Sequence, residues 1–218
     1  MTARAFEPAF RLAGRIGAEF VALAALVESD PADLTSILGV LSLTDAVMRD
    51  AAQSLASFSP AMRYRGTSTA AVMLPSLCPR VSRFSSGRYG VLYGGDCADT
   101  AVAEVSHHHG RQLRAASAPG GTFVALTLWA FVVQGRPSDI RDGDSAIYDA
   151  DNYHPAQLLG QRLRDQGAAG VLYRSVRRHG GECVGMFVPS SVRTMEKRDD
   201  WRLVWNGSAI SEVLRVAS

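Results

Sequence analysis

Residues 82–111 read SRFSSGRYGVLYGGDCADTAVAEVSHHHGR, and this stretch decides how the rest of the chain is organised. It runs from a loop with two cations, Arg83 and Arg88, into a short apolar run at Val91, Leu92 and Tyr93 that stops at Gly94-Gly95. A β-type run ended by glycines and followed by Asp, Ala and Thr predicts a strand, a tight turn and a helix beginning near Ala98, with Asp96 or Asp99 as its cap. On that helix Ala101, Val105 and His108 follow the spacing of a buried face, and Glu104 lies beside Ala101 and His108 on the same stripe. Arg83, Tyr93 and Glu104 are thereby brought near one strand end. A carboxylate on the inner edge of a helix costs several kcal/mol unless it is paired or hydrogen-bonded. Two readings of Glu104 follow: a structural ion pair with Arg83, or an acid that the protein uses.

The pattern resembles the RES family, toxins of bacterial toxin–antitoxin pairs named for a shared Arg, Glu and Ser. A subset of that family carries SRFS-x-G-x-x-GV-x-Y and then TA-x-AE-x-x-x-HH. Here these are Ser82-Arg83-Phe84-Ser85, Gly87, Gly90-Val91, Tyr93, Thr100-Ala101, Ala103-Glu104 and His108-His109. A second block, Gly170 to Arg177 and then Gly180-Gly181-Glu182-Cys183, resembles the closing strand that bears the named Ser, here Ser175. Pro8-Ala9-Phe10-Arg11-Leu12 resembles the opening strand that bears the named Arg, with Arg63 or Arg65 as substitutes if Arg11 is not that residue. One departure concerns the loop: the common family form ends in Gly-Gly-Arg-Trp-Asn, whereas this chain has Val81-Ser82-Arg83-Phe84-Ser85, with Ser85 where the family form has its Asn.

The resemblance implies an α+β fold, a single ADP-ribosyltransferase-like domain over residues 1–218 with a mixed β-sheet flanked by helices. A helical insertion over residues 16–60 would follow the first strand. It also implies the toxin of a type II toxin–antitoxin system that takes NAD+ as substrate, breaks the nicotinamide–ribose bond, and passes ADP-ribose to a protein, water or phosphate. In that reading Glu104 is the electrostatic catalyst, Tyr93 sits against the nicotinamide ribose or ring, Arg11 and Arg83 hold the pyrophosphate or ribose, and Ser175 holds the ribose or the nicotinamide amide. His108 is placed to touch the site. The implied partners are a cognate antitoxin from the adjacent gene, NAD+ and a protein acceptor. The competing reading is a catalytically inactive relative that acts only through partner contacts.

The residue types agree with that chemistry. Arginine forks bind phosphate oxygens bidentately, a tyrosine face stacks on a planar ring, and a fixed carboxylate stabilises positive charge that develops on a ribose in the transition state. Gly94-Gly95 lacks the flanking pattern of a phosphate loop, and Ser175 lacks a nucleophile elbow. Three successive histidines at 107–109 point ~100° apart on a helix and cannot chelate one metal together.

Composition bounds the rest. A chain of 218 residues with 47% hydrophobic content supports one well-buried core. A net charge of +2 with acids and bases interspersed offers no electrostatic case for nucleic acid or membrane binding. Cys78, Cys97 and Cys183 are far apart and odd in number, which disfavours a disulfide framework and a zinc site. With no signal segment and no apolar run of ~20 residues, the expected location is cytoplasmic.

Further elements follow from pattern: helices at 17–29, from 31 through Leu41, and to about Leu55; a strand at 67–74; and a buried strand at 122–133. A polar loop at 136–154 is long enough for a lid or a recognition surface. Pro155 opens a helix at 156–166 with Leu158, Leu159 and Leu163 inward. Strands at 170–175 and 183–188 flank the Gly180-Gly181 turn, and a final hairpin at 201–205 and 209–216 folds around Asn206-Gly207.

Overall fold

A computed structural model of the chain describes residues 8–14 and 79–216. The expected helices and strand between 17 and 74, the proposed insertion at 16–60, Cys78, and Arg63 and Arg65 lie outside the described residues.

Eight strands form one sheet. In chain order they are β1 (Ala9–Gly14), β4 (Leu92–Gly95), β5 (Phe123–Val133), β6 (Ser138–Asp139), β7 (Gly170–Arg174), β8 (Glu182–Met186), β9 (Val192–Trp205) and β10 (Ile210–Val216). A separate small hairpin joins β2 (Val81–Ser82) to β3 (Ser85–Ser86). The spatial order is β10-β9-β5-β1-β4-β8-β7-β6. Every pairing is antiparallel except β6 with β7, which makes the sheet mixed. Helix α1 (Ala98–Ala115) and helix α2 (His154–Asp165) pack on it. The expected α+β class, a mixed sheet with flanking helices, is the one observed. Among the described residues no helix is long and apolar enough to cross a membrane.

The two sides of the sheet follow from strand alternation. Phe10 and Leu12 pack with Ala101 and Val105 of α1, while Ala9 and Ala13 join Leu92, Phe131 and Met186 on the other side. Register pairs Ala130 with Phe10, Phe10 with Gly95, Gly95 with Cys183 and Cys183 with Tyr173. Directly opposed residues share a face, so this row crosses the sheet beneath α1. Gly95 is the gap in it. A Cβ there would stand 2.8 Å from Thr100 Cβ and 2.9 Å from the Ala101 nitrogen, so only glycine lets the first turn of α1 lie this close to the strand.

Several boundaries differ from the sequence pattern. Helix α1 begins where expected, but its cap position is Cys97, with no side-chain cap; Asp96 instead accepts a hydrogen bond from the Thr100 hydroxyl. Asp99 lies in the first turn, where its charge suits the helix dipole. Strand β9 is much longer than its apolar end suggested, because its polar portion from Val192 onward is paired with β5. Helix α2 buries Ala156 and sets Leu159 and Leu163 against the core, whereas Leu158 is exposed, a correction to its inward placement. The loop at 136–154 contains β6 and a 3-10 turn at Ser145–Tyr148. Arg141 ties this loop down through Asp139 and Glu182.

Replacing Gly95 by Ala must displace α1 from the sheet. Overpacking of this kind typically costs about 1–3 kcal/mol, so the urea midpoint of Gly95→Ala is expected to fall at unchanged m-value. An unaltered midpoint would show that the helix does not approach the strand as closely as described.

Candidate active site

Glu104 lies one turn beyond Thr100, which places its half-buried carboxylate over the Cys183 end of the row. The Ser175 hydroxyl donates to Glu104 Oε1 at 2.7 Å, and the Cys183 thiol approaches the same oxygen at 3.8 Å. Among the described residues Oε2 takes no hydrogen bond, and Glu104 has no cation within ion-pair distance. The structural pairing of Arg83 with Glu104 is therefore not formed; the acid is stabilised by a hydroxyl.

Ser175 stands just past β7, not within it. Its backbone N–H donates to the Gly181 carbonyl at 2.8 Å, which closes the connection between β7 and β8. Its hydroxyl oxygen accepts from the amides of Arg177 at 3.1 Å and Arg178 at 3.0 Å. With the oxygen occupied by two donors, the hydroxyl proton is directed to Glu104. Local side-chain to backbone bonding of this sort is what Ser favours at a turn.

Arg83 is buried, 8% exposed, in the β2–β3 turn. Its Nη1 donates to the Ile147 carbonyl at 3.1 Å and the Asp149 carbonyl at 2.8 Å, and its guanidinium stacks 4.5 Å from the Tyr153 ring centroid. Its Nε and Nη2 make no hydrogen bond among the described residues. The neighbouring Phe84 anchors the turn edge-to-face on Tyr173 at 4.8 Å. Arg83 thus organises the 147–149 segment while keeping one edge of its fork available.

The Tyr93 ring lies on Gly185, where a Cβ would come within 3.2 Å of it. Its hydroxyl shares a 2.8 Å hydrogen bond with the Ser82 hydroxyl and accepts from the Phe84 amide at 3.1 Å. Burial pushes the phenol well above its ordinary range, so it stays protonated. Tyr93 therefore holds the Arg83 turn against the sheet.

Arg11 leaves β1 on the side shared with Ala9 and Trp129, away from α1. It donates from Nη1 to the Tyr93 carbonyl at 3.1 Å, its Nε is buried without a partner, and desolvation lowers the guanidinium to about 10, still protonated at neutral pH. Its link to Glu104 and Ser175 is through the strand backbone, so it is not brought together with them. His108 is exposed, contrary to its placement on the buried stripe, because beyond Val105 it is Gly110 and Arg114 that face the sheet, beside Trp205. Among the described residues no three His, Cys, Asp or Glu side chains are grouped to hold a metal ion.

The sequence does not single out Arg177, Tyr153 or Cys183, which stand beside Ser175, Arg83 and Glu104 respectively. Arg177 donates from Nη2 to the Ala150 carbonyl at 2.7 Å, and the available signal was its position two residues after Ser175. Nothing local marks Tyr153, which reaches Arg83 across 70 residues of chain.

The sequence profile of the family described as RES domain matches residues 58–206, more than half of the chain. Arg83, Tyr93, Glu104 and Ser175 fall inside that span, as do Arg63 and Arg65, and Arg11 falls outside it. No curated protein matches the chain. Among solved structures it is similar to a chain of the crystal structure of the M. tuberculosis MbcT–MbcA toxin–antitoxin complex, at 14% identity and a TM-score of 0.38, covering 54% of this chain and 71% of that one.

Burial, and then the charge of Glu104, push the Cys183 thiol far above its ordinary range. At pH 8 iodoacetamide should therefore modify Cys183 much more slowly than the partly exposed Cys97. Glu104→Gln should speed the Cys183 reaction by removing the neighbouring charge. Peptide mass analysis over a time course checks both; equal rates at the two cysteines would contradict the described contact.

Proposed function

The chain belongs to the RES domain family, and we propose that it is the toxin of a type II toxin–antitoxin pair that consumes NAD+ by breaking the nicotinamide–ribose bond. The observation that carries this reading is the Glu104 carboxylate. One of its oxygens is oriented by Ser175, and no cation among the described residues neutralises it. A half-buried acid kept free of cations is suited to a positive charge supplied by a ligand.

The residues present fit the substrate. The free edge of the Arg83 fork can take a phosphate oxygen pair, and Glu104 Oε2 can accept a ribose hydroxyl. When the C–N bond breaks, its electron pair goes to the nicotinamide nitrogen, which becomes neutral, and the positive charge moves onto the ribose carbon. Glu104 stabilises that carbon more strongly than it stabilises the ground state, which is what lowers the barrier. An acceptor oxygen then adds to the ribose carbon and loses its proton; water, phosphate or a protein side chain would serve. Tyr93 keeps the Arg83 turn in place, and Ser175 keeps the carboxylate aimed. The fold in this reading is of the ADP-ribosyltransferase type, and the working compartment is the cytoplasm.

A toxin of this kind must be silent in its own cell. The partner is a cognate antitoxin from the adjacent gene, and a carboxylate-bearing segment of it placed against the site arginines would block the substrate.

The test is release of free nicotinamide from NAD+. Glu104→Gln should remain folded and lose about 100-fold or more in turnover, the scale for removing a charge contact made in the transition state. Expression of the wild-type chain should arrest growth, and Glu104→Gln should not. Nicotinamide release by folded Glu104→Gln at the wild-type rate would remove Glu104 from the chemistry.

A further inference from the structure

The Ser175 turn and the Arg83 turn grip the same short segment. Arg83 donates to the carbonyls of Ile147 and Asp149, and Arg177 donates to the carbonyl of Ala150. Residues 149 and 150 are consecutive, with Cα atoms ~3.8 Å apart, so two guanidinium groups from distant parts of the chain converge on adjacent carbonyls. Among the described residues neither arginine has a carboxylate within ion-pair distance. The Asp149 carboxylate lies beyond ion-pair distance, its Oδ1 accepting from the amides of Asp151 and Asn152, although the charge of Arg83 still acts on it. Carbonyl oxygens orient the two guanidinium groups and leave further N–H donors of each without a protein partner among the described residues, so an anion that reaches both would gain charge-assisted hydrogen bonds.

The position of this pair relative to the reaction centre follows from the same contacts. The Arg177 amide donates to the hydroxyl that bonds Glu104, and the charges of Arg177 and Glu104 both act on the imidazole of His107. A forked cation beside the carboxylate and a second one on the same 147–150 segment match a ligand with two linked phosphates next to a ribose.

We propose that Arg177 is an anion-binding residue that acts with Arg83 as the diphosphate subsite of this protein. The assignment rests on the NAD+ reading of the site and adds to it the residue that holds the substrate's diphosphate. Arg177 supplies a donor fork from the β7–β8 connection, Arg83 supplies one from the β2–β3 turn, and the 147–150 segment sets their spacing. Lysine at 177 keeps the charge but not the planar fork, and is expected to recover part of the binding.

The experiment is calorimetric titration of the full chain with inorganic pyrophosphate, alongside NAD+ kinetics. Wild type is expected to bind pyrophosphate, with Arg177→Ala weakening it on the order of 10-fold or more and Arg177→Lys less. In kinetics Arg177→Lys should raise KM for NAD+ more than it lowers kcat, whereas a role limited to shaping the Ser175 turn would lower kcat instead. Glu104→Gln should lose cleavage and retain pyrophosphate. Pyrophosphate binding that depends on Arg177, with no nicotinamide release from NAD+, would uphold this subsite and overturn the NAD+ reading. NAD+ cleavage with KM unchanged in both Arg177 variants, or no pyrophosphate binding by wild type, would overturn the subsite.

Discussion

A carboxylate set half-buried against a sheet must be stabilised by something, and here that is chiefly a hydroxyl: Ser175 donates to Glu104 at 2.7 Å, with the Cys183 thiol at 3.8 Å from the same oxygen. A cation in its place would have been the stronger partner, but it would also have neutralised the group. A hydrogen bond to a charged acceptor contributes about 1.5–3 kcal/mol and leaves the charge in place. The electrostatic character of the site rests on that choice of partner.

The rest of the structure secures the two ends of this bond. Glu104 is delivered by α1, whose first turn reaches the sheet only because Gly95 leaves room in the row between Phe10 and Cys183. Ser175 is delivered by the β7–β8 connection, where the amides of Arg177 and Arg178 occupy its oxygen and so direct its proton. Around this centre Tyr93 pins the β2–β3 turn through Ser82 and Phe84, and Arg83 extends from that turn to hold the segment at 147–149. Residues that read in sequence as ligand contacts thus also build the wall of the site, and Tyr93 does so with its hydroxyl fully engaged.

What was legible in the sequence was whatever short-range pattern controls. The strand at Leu92–Gly95, the helix from Ala98, the strand at Phe123–Val133 and the Gly180-Gly181 connection follow from alternation, glycine stops and turn chemistry; Glu104 stood out by helical spacing, whereas Ser175 was singled out only by the family resemblance. Long-range geometry was not legible. Whether Arg83 meets Glu104 or the carbonyls near residue 148 depends on how the loop at 136–154 folds back, and that loop carries no periodicity. Arg11 was placed by its resemblance to an opening strand, which it does occupy, but strand alternation sends its side chain to the face away from α1. His108 fits a helical spacing, but α1 continues against β9 and β10 through Gly110 and Arg114, and His108 lies off that side.

Glu104 and Ser175 are held as one unit by their hydrogen bond, and a double-mutant cycle in the proposed NAD+ cleavage measures that directly. Nicotinamide release would be followed for wild type, Glu104→Gln, Ser175→Ala and the double variant. If Ser175 works by fixing the carboxylate, removing it after Glu104 is already changed should cost little. The coupling between the two substitutions should then fall in the range of about 0.5–3 kcal/mol seen for residues in contact. Independent, additive losses would contradict the account, since they would mean that the hydroxyl and the carboxylate serve the reaction separately.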